Sequence, residues 1–596
     1  MKKLILVVSL VLSSISGLAQ TPSPKREFRA AWVASVTNLD FPTATGASVS
    51  SLKQQITSLF DQLQGVGMNA VIFQIRPECD ALYKSSLEPW SYWISGVQGT
   101  GPGDGFDPLA FAVDEAHKRG MELHAWFNPY RAERVAGLYP TASTHVTKRH
   151  PEWILKMGTM KMLDPGLPAV RAHIANVIVD VIRRYQVDGI HWDDYFYPYS
   201  PNNVTTQDDA SFAAYNASGL ARADWRRNNV NRLIKMVADS IAAVKPWVKF
   251  GISPFGIWKS GVPSGISGTS AYSELYCDAP YWMQQKYLDY LTPQIYWMIG
   301  GAQDYSKLMP WWSTQMNGRH LYPGQAAYKM LPSSNWSASE LQNQIALNRT
   351  MLNPSGSVLF RAKQGVVDNP KGIADSLKNN TYAVRALIPT MPWKDSIPPL
   401  PPVNVKAIAW KPGNVLLQWQ KPARASDHDT ARYFVIYRFP SADSVNLNDA
   451  RAILSITPND TTSYRDSTAK DQLAYIYAVT SIDKLHNESA PSFVTVHVTV
   501  VAEAAIVPTG EFALRPNYPN PFNPSTRIRF HLSARGYTLV KVYDLLGRNV
   551  ATLVDKDLDA GTYDVRFSGE KLPSGVYLCR ISSGAHAASQ RMILQK

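Results

Sequence analysis

Val187-Asp188-Gly189-Ile190-His191-Trp192-Asp193-Asp194-Tyr195-Phe196-Tyr197-Pro198 is a short apolar run that ends in two adjacent carboxylates and then in a cluster of aromatic rings. Val187, Ile190 and Trp192 suit a sheet interior, and Asp193 and Asp194 stand where such a strand would emerge into a loop. In an α/β barrel the C-terminal ends of the strands carry the chemistry. Carboxylates beside flat apolar rings are what sugar hydrolysis requires: proton donors or nucleophiles, with faces on which pyranose rings stack. An Asp pair can equally cap the next helix, so the surroundings must decide.

Those surroundings alternate strand-like and helix-like runs from residue 27 to about 388, which predicts a parallel α/β architecture. The strand candidates are Phe28–Ser35, Ala70–Arg76, Glu122–Asn128, Val187–Asp193, Lys249–Pro254, Tyr290–Trp297, Leu321–Ala327 and Ser357–Ala362. Helix candidates include Leu52–Gly65, Pro108–Arg119, Ala169–Tyr185, Asp224–Val244 and Ser339–Leu352. The expected fold is a (β/α)8 TIM-type barrel over residues 26–388, followed by two small all-β sandwich domains. Successive strand residues face opposite sides, so the apolar sets should face the helices. That leaves Gln74, Arg76, His124, Asn128, His191, Asp193, Gln294 and Tyr296 pointing inward. Polar groups gathered in a barrel are costly unless they bind a ligand or each other.

Composition sets wider bounds. At 596 residues several domains are expected, and 45% hydrophobic with 18% charged residues is ordinary for globular protein. The 17 Trp and 29 Tyr suit a carbohydrate surface as well as a core. A net charge of +13 fits an acidic polymer as partner, but there is no Arg/Lys-rich tract or nucleic-acid motif, so nucleic acid is not an expected partner. Met1-Lys2-Lys3, the apolar run Leu4–Leu12 and the small residues before Ala19 read as a secretory signal peptide over 1–20. No other run is long enough to span a membrane, so no integral membrane segment is expected after cleavage. Cys79, Cys277 and Cys579 show no metal spacing, and no metal or other cofactor is expected.

Pro389, Pro392 and Pro398-Pro399-Leu400-Pro401-Pro402 mark a proline-rich linker, 389–402. Beyond it, residues 403–501 hold short alternating strands such as Val415–Trp419, Tyr433–Arg438 and Tyr475–Val479, and this segment resembles a fibronectin type III module with a spacer role. Residues 510–596 contain Asn517-Tyr518-Pro519-Asn520-Pro521-Phe522-Asn523-Pro524, Val542-Tyr543-Asp544-Leu545-Leu546-Gly547-Arg548 and Gly575-Val576-Tyr577-Leu578. In that order these motifs resemble the C-terminal sorting domain of type IX secretion. The resemblance implies the type IX secretion machinery as a partner, and secretion or display on the outer-membrane surface of a Gram-negative bacterium by way of the periplasm.

The first domain has its own resemblance. Arg26–Ala34, Phe73-Gln74-Ile75-Arg76-Pro77, Asp80-Ala81-Leu82-Tyr83, His124–Arg131, Asp164-Pro165-Gly166, Asp193-Asp194, Gly251–Gly256 and Pro293–Trp297 are similar to the motifs of glycosyl-hydrolase-like family 10, formerly a domain of unknown function numbered 187. The resemblance implies a TIM-type barrel, glycosidase activity and a substrate drawn from peptidoglycan, particularly glycan strands stripped of their peptides. Asp188-x-x-His191-x-Asp193-x-Tyr195 is also similar to the Asp-x-x-Asp-x-Asp-x-Glu pattern of family 18 chitinases, but Tyr195 stands where the chitinase acid would be. Asp193 and Asp194 are the candidate acids, with Asp80, ahead of Glu78 and Asp289, as the candidate for a carboxylate from another strand; the substrate's acetamido group could instead supply the nucleophile. Arg76 is a candidate partner for an acidic substituent or for Asp80. His124, His191, Asn128, Tyr130, Gln294 and Tyr296 are candidate sugar ligands, and Trp126, Trp192, Trp258 and Trp297 candidate stacking rings. The alternative function is a carbohydrate-binding surface protein that has lost catalysis.

Overall fold

The computed structural model describes residues 23–353, 355–411, 413–458, 460–470, 473–498 and 512–596. The expected signal peptide and the two domain boundaries near residues 501 and 510 lie outside the described residues.

The first domain is a (β/α)8 barrel. Its strands, in chain order, are Phe28–Val33, Ala70–Arg76, Glu122–Phe127, Gly189–Trp192, Lys249–Ile252, Tyr290–Leu291, a split seventh strand (His320–Leu321 and Gly324–Gln325) and Gly356–Leu359. All pair in parallel with their neighbours, and Phe28 opposite Gly356 joins the first strand to the eighth. The seventh strand closes the ring. On one side Tyr322 N–H donates to the Leu291 carbonyl at 2.8 Å, and on the other Phe360 N–H donates to that of Gln325 at 2.8 Å.

Helices return the chain between strands, each for local reasons. Val49–Gly65 begins where the Ser48 hydroxyl accepts from Ser51 N–H, and it buries Leu52, Ile56, Leu59, Phe60 and Leu63 at helical spacing. Pro108–Lys118 starts with proline in its first turn behind the Asp107 cap. The loop face carries a small antiparallel sheet, Arg131–Glu133, Ile154–Met157 and Met160–Leu163, within the insertion after the third strand.

The barrel interior mixes large rings with absent side chains. Phe28, Trp32, Trp126, Tyr290 and Tyr322 are packed inside with Ala30, Ala70, Ile72 and Val358. Room for the rings comes from glycines on neighbouring strands. A Cβ on Gly251 would enter the Tyr290 ring, and one on Gly189 would lie 2.5 Å from His124 Nδ1. Val71, Phe73, Ile75, Ile190 and Trp192 face outward into the helix layer.

The proline-rich segment does not hang free. Ile388 and Met391 are buried in the barrel's inner core, and Trp393 Nε1 donates to Asp289 at 2.8 Å. The module that follows is a sandwich of a three-stranded sheet (Val403–Lys411, Asn414–Gln420, Ser463–Asp466) and a four-stranded sheet (Ile453–Pro458, Tyr433–Phe439, Ala474–Ile482, Ser492–His497). It is seated on the barrel rather than spaced from it. Leu387 is buried among Tyr433, Val435, Tyr437 and Ile482, Arg432 pairs with Asp188 at 2.9 Å, and His486 meets Glu122 at 2.7 Å.

Residues 512–596 form a separate unit, again a three- and a four-stranded antiparallel sheet, around Phe522, Ile528, Phe530, Val540, Cys579 and Met592. All three cysteines are free and buried. No helix among the described residues is long and apolar enough to cross a membrane.

Candidate active site

The fourth strand ends at Trp192, and the chain turns at once, with Phe196 N–H donating to the Asp194 carbonyl at 2.9 Å. Continued as a strand, Asp193 and Asp194 would face opposite sides. The turn brings both carboxylates into one cavity of about 390 Å³ at the C-terminal mouth of the barrel. They are its two acidic residues among the described residues.

Asp193 is held firmly. Trp126 Nε1 and Asn128 Nδ2 both donate to its Oδ2, at 3.0 and 3.1 Å, and Tyr195 N–H reaches Oδ1 at 3.4 Å. Asn128 is itself oriented, because its Oδ1 accepts from Arg131 N–H at 2.9 Å. Burial raises the Asp193 carboxyl to about 6 despite the opposing pull of Arg131 and these donors. Asp194 accepts from the Tyr199 hydroxyl. Burial, and then the neighbouring Asp193 charge, push it up to about 8. At neutral pH the pair therefore holds one proton in common, more firmly on Asp194.

Aromatic rings wall the cavity. Trp32, Tyr296, Tyr328 and Phe360 line one stretch, with Tyr296 stacked on Phe360 at 5.7 Å; Tyr195, Tyr199, Phe255 and Trp297 line another. Polar groups punctuate the wall. Gln74 Oε1 accepts from the backbone N–H groups of Ser35 and Val36, both at 2.9 Å, which fixes the amide; its buried Nε2 has no partner. Gln294 Nε2 donates to the Ser253 carbonyl at 2.9 Å. Arg131 lies 4.8 Å over the Tyr195 ring, and Lys329 Nζ donates to the Tyr296 carbonyl at 2.7 Å.

Of the residues singled out in the sequence, Asp193, Asp194, Trp126, Gln294, Tyr296 and Trp297 line this cavity, and Asn128 stands directly behind Asp193. The structure does not bring the others there. Arg76 is fully buried beneath the loops, in a two-point pair with Glu88 and in bonds to the carbonyls of Asn128 and Pro129, so neither Asp80 nor a ligand is its partner. Asp80 accepts from Gln98 and from Glu78 N–H, and burial followed by the Glu78 charge raises it to about 7. It lines no part of the cavity. Tyr130 is packed in the hydrophobic core with its hydroxyl enclosed.

His124 and His191 lie deeper, in a polar column along the barrel axis. Glu122 Oε2 meets His124 Nε2 at 3.0 Å, His124 Nδ1 meets the Tyr290 hydroxyl at 2.7 Å, and that hydroxyl meets His191 Nδ1 at 3.0 Å. His191 Nε2 accepts from Trp32 Nε1 at 3.1 Å, so in the neutral ring Nδ1 carries the proton. Burial, then the adjacent His124, hold His191 well below the ordinary histidine value. The column ends at Trp32 and Ser253, both part of the cavity wall. Gln74, Arg131, Ser253, Tyr199 and Lys329 were not among the sequence candidates for the site. Gln74 carried an inward-parity signal; the rest come from strand ends and loops where no periodicity applies.

Residues 27–340 match the family described as "Glycosyl hydrolase-like 10". The chain belongs to that family. It is 41% identical over 500 residues to "Glycosyl hydrolase YngK" of Bacillus subtilis (strain 168), covering 82% of this chain and 96% of that protein. It is 37% identical over 374 residues to "Glycosyl hydrolase DigH" of Escherichia coli (strain K12), covering 58% of this chain and 84% of that protein. Residues 517–595 match the family described as "Secretion system C-terminal sorting domain", which marks the chain for secretion or surface export. Among solved structures, the glycoside hydrolase domain of PgaB (BpsB) from Bordetella bronchiseptica aligns with a TM-score of 0.40 at 12% identity, over 60% of this chain and 98% of that one.

Proposed function

We propose that this protein is a glycoside hydrolase that cleaves peptide-free glycan strands of bacterial peptidoglycan, exported through type IX secretion to act at or outside the cell surface. The observation that carries the reading is the Asp193–Asp194 pair. Two buried carboxyls, raised to about 6 and about 8, share one aromatic-walled cavity at the C-terminal mouth of a barrel. Family membership supports the hydrolase class. The module after the barrel reads as fibronectin type III-like from its three-plus-four strand arrangement.

The geometry favours one division of labour. Two carboxyls from consecutive residues do not straddle a glycosidic bond, and no third acid lines the cavity among the described residues. The nucleophile is then the substrate's own acetamido oxygen, which the sugars of peptidoglycan carry. Asp194, protonated, donates its proton to the departing glycosidic oxygen as the acetamido oxygen bonds to the anomeric carbon. Asp193, with Oδ2 already occupied by Trp126 and Asn128, accepts the acetamido N–H through Oδ1 and offsets the positive charge on the resulting ring. Water then opens that ring, giving its proton to Asp194 and restoring the starting state. The unpartnered Gln74 amide supplies a fixed donor for a sugar oxygen.

The test is release of reducing ends from peptide-free glycan strands, run beside equilibrium binding to the same strands. Hydrolysis that disappears in Asp194→Asn while binding persists supports the reading. Binding by the parent protein with no release of reducing ends would establish the non-catalytic carbohydrate-binding alternative.

A further inference from the structure

A second cavity, of about 330 Å³, adjoins the first: Tyr328 and Lys329 line both. Its other walls are Leu331, Ser334, Asn335, Trp336 and Gln364. The two cavities therefore adjoin along the Tyr328–Lys329 segment, and they do so at a cation. Lys329 Nζ donates to the Tyr296 carbonyl at 2.7 Å and has no carboxylate partner among the described residues. The ammonium lies 5.9 Å from the centroids of both the Tyr328 and the Trp336 rings. Half-burial between rings lowers its pKa, because the charge is poorly solvated there.

The shape of the second cavity is held independently of the first. Lys371 Nζ donates to the carbonyls of Ser334 and Trp336, and so clamps the segment that forms its far wall. Trp336 is 7% exposed and packed against the barrel core, so the wall is preformed. The lining chemistry is an aromatic floor, two side-chain amides and one unpaired cation. That combination suits a pyranose with an anionic substituent: rings take the sugar face, amides its hydroxyls, and the ammonium its charge.

We propose that this cavity is a second saccharide subsite, which takes the next sugar of the glycan chain held at Asp193 and Asp194, with Lys329 as counter-ion to a carboxylate on that chain. The occupant follows from continuity: a chain in the first cavity that extends past Tyr328 passes into the second. The proposal rests on the glycan reading above, and it adds that recognition continues beyond the cleaved bond on the Lys329 side.

The experiment uses full-length protein carrying Asp194→Asn, so that binding is measured without turnover. Calorimetric affinities are compared for peptide-free peptidoglycan oligosaccharides of increasing length, and for chitin oligosaccharides, which lack the lactyl carboxylate. Affinity should rise with length and rise more for the carboxylate-bearing series. Adding Gln364→Ala should remove about fivefold of the length-dependent gain, the loss of one hydrogen bond. Leu331→Glu, at a position 39% exposed, should remove more of it for the carboxylate-bearing series, and the shortest ligand that binds should be unaffected by either change. Short ligands that bind with no gain on lengthening, or a gain that both variants leave intact, would overturn the subsite and leave the hydrolase reading standing. Failure of every ligand to bind would overturn both. Equal gains for the two series would remove Lys329 from the proposal.

Discussion

Replacing Asp194 by asparagine should make the protein more stable at neutral pH while abolishing hydrolysis. The carboxyl is fully enclosed beside a second carboxyl, and its pKa is raised from 3.8 to about 8. The folded state therefore binds this proton more tightly than the unfolded chain does, and stability falls as pH rises from 3.8 toward 8. At about pH 7 the chain is about three units above the unfolded value, and each unit is worth about 1.4 kcal/mol, so the acid costs the fold about 4 kcal/mol. Asparagine is nearly isosteric, and its Oδ1 can still accept from the Tyr199 hydroxyl. Allowing about 1 kcal/mol for poorer hydrogen bonding leaves a gain of about 3 kcal/mol. Chemical denaturation of parent and variant across the range from about pH 4 to about pH 8 would measure it. At the acid end only the hydrogen-bonding loss remains, so the variant should be about 1 kcal/mol the less stable there; its advantage should appear and widen as pH rises and level off above about pH 8. A variant no more stable than the parent at neutral pH, or an advantage that does not disappear on acidification, would refute the claim that Asp194 is held protonated by its surroundings.

The same two carboxyls set the pH dependence of turnover. kcat/KM should rise as the pair loses its first proton near 6 and fall as it loses the second near 8, and a profile flat between about pH 5 and about pH 9 would count against the pair as acid and charge stabiliser. At the other end of the barrel, His486→Ala should destabilise the barrel by about 1–3 kcal/mol, since Glu122 keeps Lys249 and His124 but loses one buried partner. Cutting the chain after Trp393 should cost far more than a lost spacer would: Asp188 loses Arg432 and Leu387 loses its apolar cover, so the truncated barrel should be insoluble or markedly less heat-stable than full-length protein.

The barrel was readable because its strands, apart from the partly buried His320 of the split seventh, are buried on both faces, giving runs such as Ala70-Val71-Ile72-Phe73. The carboxylate pair was readable for a related reason: Asp193 and Asp194 interrupt such a run at its C-terminal end. Partnership was not readable. Gln74 lines the cavity as parity requires, but the strand register shifts between Gln74 and Arg76, and Arg76 instead meets Glu88 from the following loop; no periodicity fixes where that loop folds back. His124 and His191 look in sequence like isolated inward histidines, and only the eight-strand closure brings Tyr290 between them. Arg131 and Lys329 reach the cavity from positions just past strand ends, where chain direction is set by tertiary packing. A single sequence shows which residues leave the helix-facing layer, and it is silent on which of them meet.

The polar column explains why the second module sits where it does. Parallel strands leave the N-terminal mouth of a barrel open to water, and Glu122 lies at that mouth with Lys249 and His124 as barrel-borne partners. Burial alone would raise the Glu122 carboxyl; instead Lys249, His486 and the His124 hydrogen bond hold it well below the usual carboxylate range. His486, 364 residues away in sequence, closes the mouth and completes that set. The neighbouring Asp188 follows the same pattern, with burial outweighed by Arg432 and His117 to leave it at about 2. From Glu122 the bonds continue without a gap through His124, Tyr290 and His191 to Trp32 and Ser253, which form the floor of the cavity holding Asp193 and Asp194. Removing water from the lower mouth strengthens each of these bonds, because a buried hydrogen bond is worth more in low dielectric than in solvent. The β-sandwich thus supplies, through His486, the lower end of a bonded column whose upper end, at Trp32 and Ser253, lines the cavity.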